Sequence, residues 1–141
     1  MNELIFQPMI TVVVLTAVVW VVLYVKRIRA MRHAGKPAQA YAVPDSITEF
    51  LPEKANYPAN NFKNLFELPV LFYVLCIYLY ATGAVDATYL AAAWLFAGFR
   101  VLHSLVHCTV NIVMLRFVVY FAGAIVLWFM LGRIALDLFT T

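Results

Sequence analysis

The chain has 141 residues, of which 65% are hydrophobic and 12% charged, and its mean hydropathy is +0.89. Soluble domains carry about 25% charged residues, and a chain of this length cannot fold so much apolar surface away from water, which excludes a soluble globular domain. The net charge of +3 is local and forms no basic face long enough to follow a phosphate backbone, which excludes a nucleic-acid-binding protein.

The first predicted element is a membrane-spanning helix at about residues 5–25. This run contains no charged side chain, and about 20 apolar residues are enough to cross about 30 Å of hydrocarbon. Glu3 precedes the run, no Lys or Arg does, and no small-residue cleavage site interrupts it. We therefore interpret it as a retained span rather than a secretory signal.

A polar loop is predicted next, at about residues 30–60. Four prolines in this loop argue against a long helix, although Ser46 followed by Glu49 could cap one short surface helix. The prolines are Pro37, Pro44, Pro52 and Pro58.

Three further spans are predicted at about residues 62–82, 87–106 and 117–136. Their continuous apolar runs lack the alternation of a membrane strand and therefore indicate helices. Residues 83–86 are short enough for a tight turn between the second and third spans, and the polar residues 111–116 connect the third to the fourth. The expected fold is an all-α membrane protein with a single domain, residues 1–141, that forms a bundle of four transmembrane helices.

The basic residues predict the orientation of the chain, because cytoplasmic loops of membrane proteins are enriched in Lys and Arg. Seven of the ten Lys and Arg residues lie at the loop between spans one and two, and Arg116 lies at the other link on the same side. The opposite face has only Arg133. Both termini are therefore expected outside the cytoplasm and the large loop inside it, in a multi-pass protein of a bacterial inner membrane.

Polar side chains inside the spans are the candidate functional residues. A charged side chain at the centre of a span costs at least about 2.5 kcal/mol on insertion scales, so it persists where it faces protein, water or a ligand. At 100° per residue, each group falls on one side of its helix, and the group on the third span forms a stripe about 80° wide. We expect all three groups to meet in one cleft near the cytoplasmic ends of the helices. The groups are Asn60, Lys63, Asn64 and Glu67; Arg100, His103, His107 and Asn111; and Arg116 with Tyr120.

Each group also has a purely structural interpretation. Arg100 and Glu67 could form an ion pair that only holds two helices together, and His103 and His107 could be core residues bonded to backbone carbonyls. The spacing of the two histidines would also suit a metal with Cys108 nearby. Zinc needs three or four ligands, however, and Cys108 points about 100° away from His107 on a helix, so no metal site is predicted.

At these residues the sequence resembles the MAPEG superfamily, the membrane-associated proteins in eicosanoid and glutathione metabolism, and within it the microsomal glutathione transferases. The segment Asn64-Leu-Phe-Glu67-Leu-Pro69 is similar to the family's Asn-x-x-Glu followed by Pro on helix two. A second motif is similar to the family's pattern on helices three and four, and it consists of Arg100, His103, His107, Arg116 and Tyr120. The resemblance covers nearly the whole chain.

The resemblance implies a homotrimer that binds glutathione, its co-substrate, between neighbouring subunits on the cytoplasmic side. It implies a transferase or peroxidase acting on a hydrophobic small molecule or lipid that arrives through the membrane. By position, Arg116 matches the arginine that stabilises the glutathione thiolate, and it is the implied catalytic residue. The residues implied to bind glutathione are Arg27, Arg29, Lys63, Asn64, Glu67, Arg100, His103, His107 and Tyr120.

Three positions depart from the family pattern and bear on substrate and catalysis more than on fold. Asn60 stands where many members carry arginine, His107 where tyrosine is common, and Phe117 where the pattern of the family's prostaglandin-E-forming synthase has serine. The alternative function is therefore a non-catalytic protein of the same fold that binds lipid or acts as a scaffold. A transporter or channel subunit that uses the Arg100 stripe is a third class, but no span is broken by paired Gly and Pro as in many transporters.

Overall fold

The structure is a computed structural model and describes residues 2–140. Four helical segments are long and apolar enough to cross a membrane, and the described residues contain no strand. The predicted all-α membrane protein with four long helices is thus confirmed. Its helices are α1 (Phe6–Ala34), α2 (Pro44–Phe50), α3 (Glu53–Asn64), α4 (Leu68–Thr82), α5 (Ala87–Cys108) and α6 (Val113–Thr140).

Helix α1 is longer than the apolar run that predicted it. It continues past residue 25 through the basic segment and ends at Ala34, where Gly35 adopts a left-handed conformation with φ 63°. Glycine is the residue that tolerates this conformation best and commonly terminates helices in this way. The hydropathy pattern marks where the hydrocarbon ends, whereas the glycine marks where the helix ends.

The predicted loop at residues 30–60 is shorter and more helical than expected. Helix α3 begins at Glu53 and runs through Pro58, so a proline in the loop does not end the helix. The short helix expected near Ser46 exists as α2, but the expected capping by Ser46 is wrong. Helix α2 begins at Pro44, a residue preset for a first helical position, and the backbone N–H of Ser46 donates to the carbonyl of Val43 at 3.1 Å.

The second span is not one continuous helix starting at residue 62. Helices α3 and α4 are separated by residues 65–67, and Pro69 lies in the first turn of α4. Proline lacks a backbone N–H and restricts the residue before it, so a helix approaching Pro69 from the N-terminal side is interrupted there. The interruption places Glu67 at the junction of the two helices rather than inside a continuous helix.

Short links connect the last three spans, and the third and fourth spans pack closely against each other. Gly83 is left-handed with φ 69° and Asp86 caps α5, as expected for a tight turn at residues 83–86. Helix α5 ends at Cys108, so Asn111 lies in the link to α6 and not on the helix. A Cβ atom on Gly123 of α6 would lie 3.3 Å from the Cβ of Phe99, which shows how closely the two helices approach.

The buried face of α5 changes character along its length. Its first half packs Tyr89, Phe96 and small alanines into an apolar core, in which the ring of Phe96 stacks on that of Phe72 from α4 at 4.4 Å. Its second half buries Arg100, His103, Ser104 and His107 instead. The polar half lies toward the end of the bundle that carries the loop between α1 and α3, which we call the loop end.

The opposite end is closed by an ion pair. Asp86 caps α5 by accepting from the backbone N–H of Tyr89 at 2.8 Å, and it also accepts from Arg133 Nη1 of α6 at 3.0 Å. The hydrogen bond from the Arg133 guanidinium holds the pKa of the Asp86 carboxyl below its usual range, and the Tyr89 N–H lowers this pKa to a smaller extent. The hydroxyl of Tyr89 also donates to Asp137 at 3.3 Å, so side chains of both helices are joined by polar contacts at this end.

Candidate functional site

The polar stripe predicted on the third span is buried at the loop end. Arg100, His103 and His107 have exposed fractions of only 1%, 2% and 2%. They lie on the face of α5 that packs against α6, where the ring centroids of the two histidines are 5.5 Å apart. These three residues therefore face protein and not lipid, as expected of ionisable groups that persist in a span.

Arg116, in the first turn of α6, is held by α5 and by the link between the two helices. Its Nη1 contacts Nε2 of His107 at 3.2 Å and donates to Oδ1 of Asn111 at 2.6 Å. Asn111 has a left-handed backbone with φ 48°, a conformation that asparagine tolerates better than most residues. Nδ1 of His103 contacts the backbone carbonyl of Arg116 at 3.2 Å, so the main chain of this residue is fixed as well.

Two clefts meet at Arg116. The large cleft, about 710 Å³, lies between α1, α2, α3 and the start of α6. The small cleft, about 160 Å³, lies between the end of α3, α5 and α6. Arg116 and Val113 line both. Polar residues of the large cleft include Arg27, Glu53, Tyr57, Asn60, Lys63 and Asn111, and the small cleft is also lined by Asn64, His103, Phe117 and Tyr120.

Tyr120 connects the small cleft to two further predicted residues. Its hydroxyl donates to Oε2 of Glu67 at 3.4 Å. Cζ of Arg100 lies 4.5 Å from the centroid of the Tyr120 ring, and the Phe96 ring lies 5.1 Å away. Arg100 is thus packed between aromatic rings beneath the cleft and lines neither cleft.

The close ion pair between Arg100 and Glu67, offered as a structural interpretation, does not form among residues 2–140, although Glu67 lies near enough to attract the charge of Arg100. Glu67 is exposed and contacts Tyr120 instead. None of the three guanidinium nitrogens of Arg100 has a hydrogen-bond partner in the described part of the chain. The break in the second span explains the difference, because it places Glu67 on the surface of the junction between α3 and α4.

The predicted residues of the first and second spans reach the site unequally. Arg27 and Lys63 line the large cleft and Asn64 lines the small one. Arg29 is exposed and lines neither cleft, although its carbonyl contacts Nδ1 of His33 at 2.9 Å. The helix turns every 3.6 residues, which separates Arg29 from Arg27 by about 200° around α1.

Asn61 is a polar residue whose position the sequence did not predict. It is fully buried on α3, where its Oδ1 accepts from the hydroxyl of Ser104 at 3.4 Å and its Nδ2 contacts the sulfur of Cys108 at 3.5 Å. Lys26 of α1 reaches the same point and donates to the carbonyl of Cys108 at 3.0 Å. The angular position of Asn61 on α3, about 200° from Lys63, was the signal in the sequence that could have indicated different surroundings.

The arrangement of charged side chains at the large cleft is suited to an anion. The cationic residues Arg27, Lys63 and Arg116 line the large cleft together with one acid, Glu53. No carboxylate pairs with Arg116 within residues 2–140, so its charge is available to a ligand. The described residues hold no group of three or more His, Cys, Asp or Glu side chains that could bind a metal.

Comparison with known proteins gives one match. The family model described as MAPEG family matches residues 5–136, which is nearly the whole chain. No curated protein and no solved structure matches the chain.

Proposed function

Because the chain belongs to the MAPEG family, we propose that it binds glutathione at the loop end. It would join glutathione, through its sulfur, to a hydrophobic electrophile, or use glutathione to reduce a hydrophobic peroxide. Membership in this family and the four apolar helices make the chain an integral, multi-pass membrane protein of the glutathione and eicosanoid metabolism family. The finer proposal depends on what Arg116 can do to a bound thiol.

The position of Arg116 carries the proposal. Both of its side-chain hydrogen bonds go to neutral acceptors through Nη1, so Nη2 and Nε are left for a ligand. A free thiol ionises near pH 8.5, and a nearby guanidinium favours the thiolate, which is the reactive form. Each unit by which the pKa of the thiol is lowered corresponds to about 1.36 kcal/mol in favour of the thiolate.

The large cleft has charges that match the rest of glutathione. The tripeptide carries two carboxylates and one ammonium at neutral pH, and Arg27 and Lys63 would bind the carboxylates while Glu53 would accept from the ammonium. Its volume of about 710 Å³ falls within the range of small-molecule sites. Residues of the small cleft and its border would hold the cysteinyl part: Asn64, Glu67, His103, His107 and Tyr120. Arg100 would support Tyr120 from below.

The electrophile would enter from the lipid beside the small cleft. Phe117 and Val113 line this cleft and are 59% and 64% exposed, so they offer an apolar surface next to Arg116. The ring of Phe117 also stacks on Phe121 one turn further along α6, at 5.9 Å. An apolar acceptor partitions into the bilayer and would reach the thiolate without crossing water.

Family membership also supports the wider assembly we propose. Three copies would form a homotrimer in which a neighbouring subunit completes each glutathione site. The excess of Lys and Arg at the loop end supports an orientation with the large loop in the cytoplasm, in a bacterial inner membrane.

Conjugation of glutathione to an apolar electrophile by the purified protein tests the proposal. We expect Arg116→Ala to lower kcat by about 100-fold, the loss typical of removing one group that stabilises charge at a reacting atom. Arg32→Ala is the matched control, because Arg32 is exposed and lines neither cleft. Equal rates for wild type and Arg116→Ala would refute the role of Arg116.

A thermal unfolding experiment separates the enzyme from a non-catalytic lipid-binding protein. Glutathione at 100 times its dissociation constant stabilises the folded state by about 2.7 kcal/mol, so the thermal midpoint should rise with millimolar glutathione. Lack of any shift, together with retained lipid binding, would favour the non-catalytic function.

A further inference from the structure

The side chain of Arg116 is bound by two acceptors that carry no charge. An arginine side chain can only donate hydrogen bonds, so Nε2 of His107, 3.2 Å from Nη1, must accept. His107 is therefore neutral and carries its proton on Nδ1, which is buried without a hydrogen-bond partner among residues 2–140. The second acceptor is the amide oxygen of Asn111 at 2.6 Å, which is also neutral. The two acceptors use both N–H groups of Nη1.

His103 fixes the same residue through the main chain. The backbone carbonyl of Arg116 can only accept, so Nδ1 of His103, 3.2 Å away, carries the proton and donates. The two imidazoles thus hold both the side chain and the backbone of Arg116 from one face of α5. Neither the link nor α6 has to supply an acid to keep the guanidinium in place.

The absence of charge on these acceptors determines how strongly Arg116 acts on a ligand. A carboxylate in the place of His107 or Asn111 would orient the guanidinium equally well, but it would cancel much of its field at the neighbouring atoms. Neutral acceptors fix the direction of Nη2 and Nε and leave the whole positive charge for an anion in the clefts. Oriented and uncompensated charge is the arrangement that stabilises a developing or resident anion best.

We propose that His107 and Asn111 are positioning residues that orient Arg116 without neutralising it, so that its full charge acts on the glutathione sulfur. This inference rests on the proposed function. It adds a role for His107, which replaces the tyrosine common in the family, and for Asn111, which lies outside the motifs that carry the resemblance. Their effect on the charge at the sulfur is exerted through Arg116.

The variant Asn111→Asp provides the sharpest test. Aspartate has the same shape as asparagine, keeps the acceptor for Nη1 and tolerates a left-handed backbone, but it adds a negative charge 2.6 Å from the guanidinium. The thiolate absorbance of bound glutathione, titrated against pH, should show the thiol pKa raised by at least about one unit relative to wild type, a tenfold loss of thiolate. The value of kcat should fall in parallel.

Two variants of His107 form a matched pair. His107→Gln keeps a neutral acceptor and should retain most of the thiolate signal, whereas His107→Leu removes the acceptor and should lose it. A wild-type protein that stabilises the thiolate, with an unchanged thiol pKa in Asn111→Asp, would overturn the role of neutral acceptors. Equal behaviour of His107→Gln and His107→Leu would also overturn it.

A measurement without ligand keeps the inference testable if the protein does not bind glutathione. The thermal midpoints of His107→Leu, Arg116→Leu and the double variant form a double-mutant cycle. If His107 holds Arg116, the loss in the double variant is smaller than the sum of the two single losses. Additive losses would show that the contact between His107 and Arg116 contributes no interaction free energy, and they would overturn the positioning role. A missing thiolate signal in wild type would refute the proposed function alone.

Discussion

Replacing Arg100 by methionine should change the stability of the protein little, although it removes a fully buried arginine. All three guanidinium nitrogens of Arg100 lack a hydrogen-bond partner among residues 2–140, and its exposed fraction is 1%. A buried charge without a partner costs several kcal/mol, and apolar residues of similar volume in place of buried ions are often neutral or stabilising by about 1–4 kcal/mol.

The aromatic rings around Arg100 offset part of this cost. Its Cζ lies 4.5 Å from the centroid of the Tyr120 ring and 5.1 Å from that of Phe96. A desolvated cation–π interaction contributes about 2 kcal/mol. The loss of these contacts opposes the gain from removing the charge. We therefore expect the free energy of unfolding of Arg100→Met to lie between about 1 kcal/mol below and about 2 kcal/mol above that of wild type.

Thermal or chemical unfolding of the purified protein in detergent, without glutathione, measures this change. Arg100→Lys is the matched control, because the ammonium keeps the charge but is more strongly hydrated and cannot stack on Tyr120 as a planar group; it should destabilise. A loss of about 3–5 kcal/mol in Arg100→Met would refute the reasoning, since this is the cost of leaving one member of a buried ion pair without its partner. Such a loss would mean that an acid pairs with Arg100.

Two further predictions concern the contacts that flank the site. Asn61→Ala removes the acceptor of the Ser104 hydroxyl and should lower the free energy of unfolding by about 1–2 kcal/mol, near the upper range for interhelical hydrogen bonds in membranes; an equal effect of Asn60→Ala, at an exposed position, would contradict it. At the opposite end, the depressed pKa of Asp86 means that its ion pair with Arg133 stabilises the fold above the unfolded-state value of about 3.9 and loses this effect as pH falls through the lower folded-state value. The thermal midpoint of Asp86→Asn, which keeps an N-cap, should therefore depend less on pH below about pH 5 than that of wild type, and parallel curves would contradict the linkage.

The sequence predicted the four helical segments because hydropathy responds to the solvent, and lipid acts on every residue of a span. It also predicted the inward face of α5, since Arg100, His103 and His107 repeat at helical spacing and have no favourable place in lipid. What hydropathy could not predict is where a helix ends. That depended on single residues, namely Gly35 after α1 and Pro69 after the break in the second span.

The contacts within the site required the fold. Glu67 was expected on the same helical face as Lys63, and the break at residues 65–67 moved it to a junction where Tyr120 and not Arg100 is its partner. Asn111 contacts Arg116 only because its left-handed backbone reverses the chain after α5. Angular position on an ideal helix cannot anticipate either contact, because both lie where the helix is interrupted.

The two arginines of the site differ in surroundings in a way that explains why only one is suited to chemistry. Arg100 is enclosed by Phe96 and Tyr120, which stabilise its charge over a broad surface and keep it from both clefts. Arg116 is bound along one edge by neutral groups and opens to both clefts with its other donors. A guanidinium packed on aromatic rings, as in Arg100, has a structural role. A guanidinium with fixed, unused N–H groups, as in Arg116, can stabilise an anion placed against it. Within residues 2–140, no carboxylate pairs with Arg116 to neutralise it, and the buried Arg100 opens to neither cleft. The two arginines therefore cannot exchange roles.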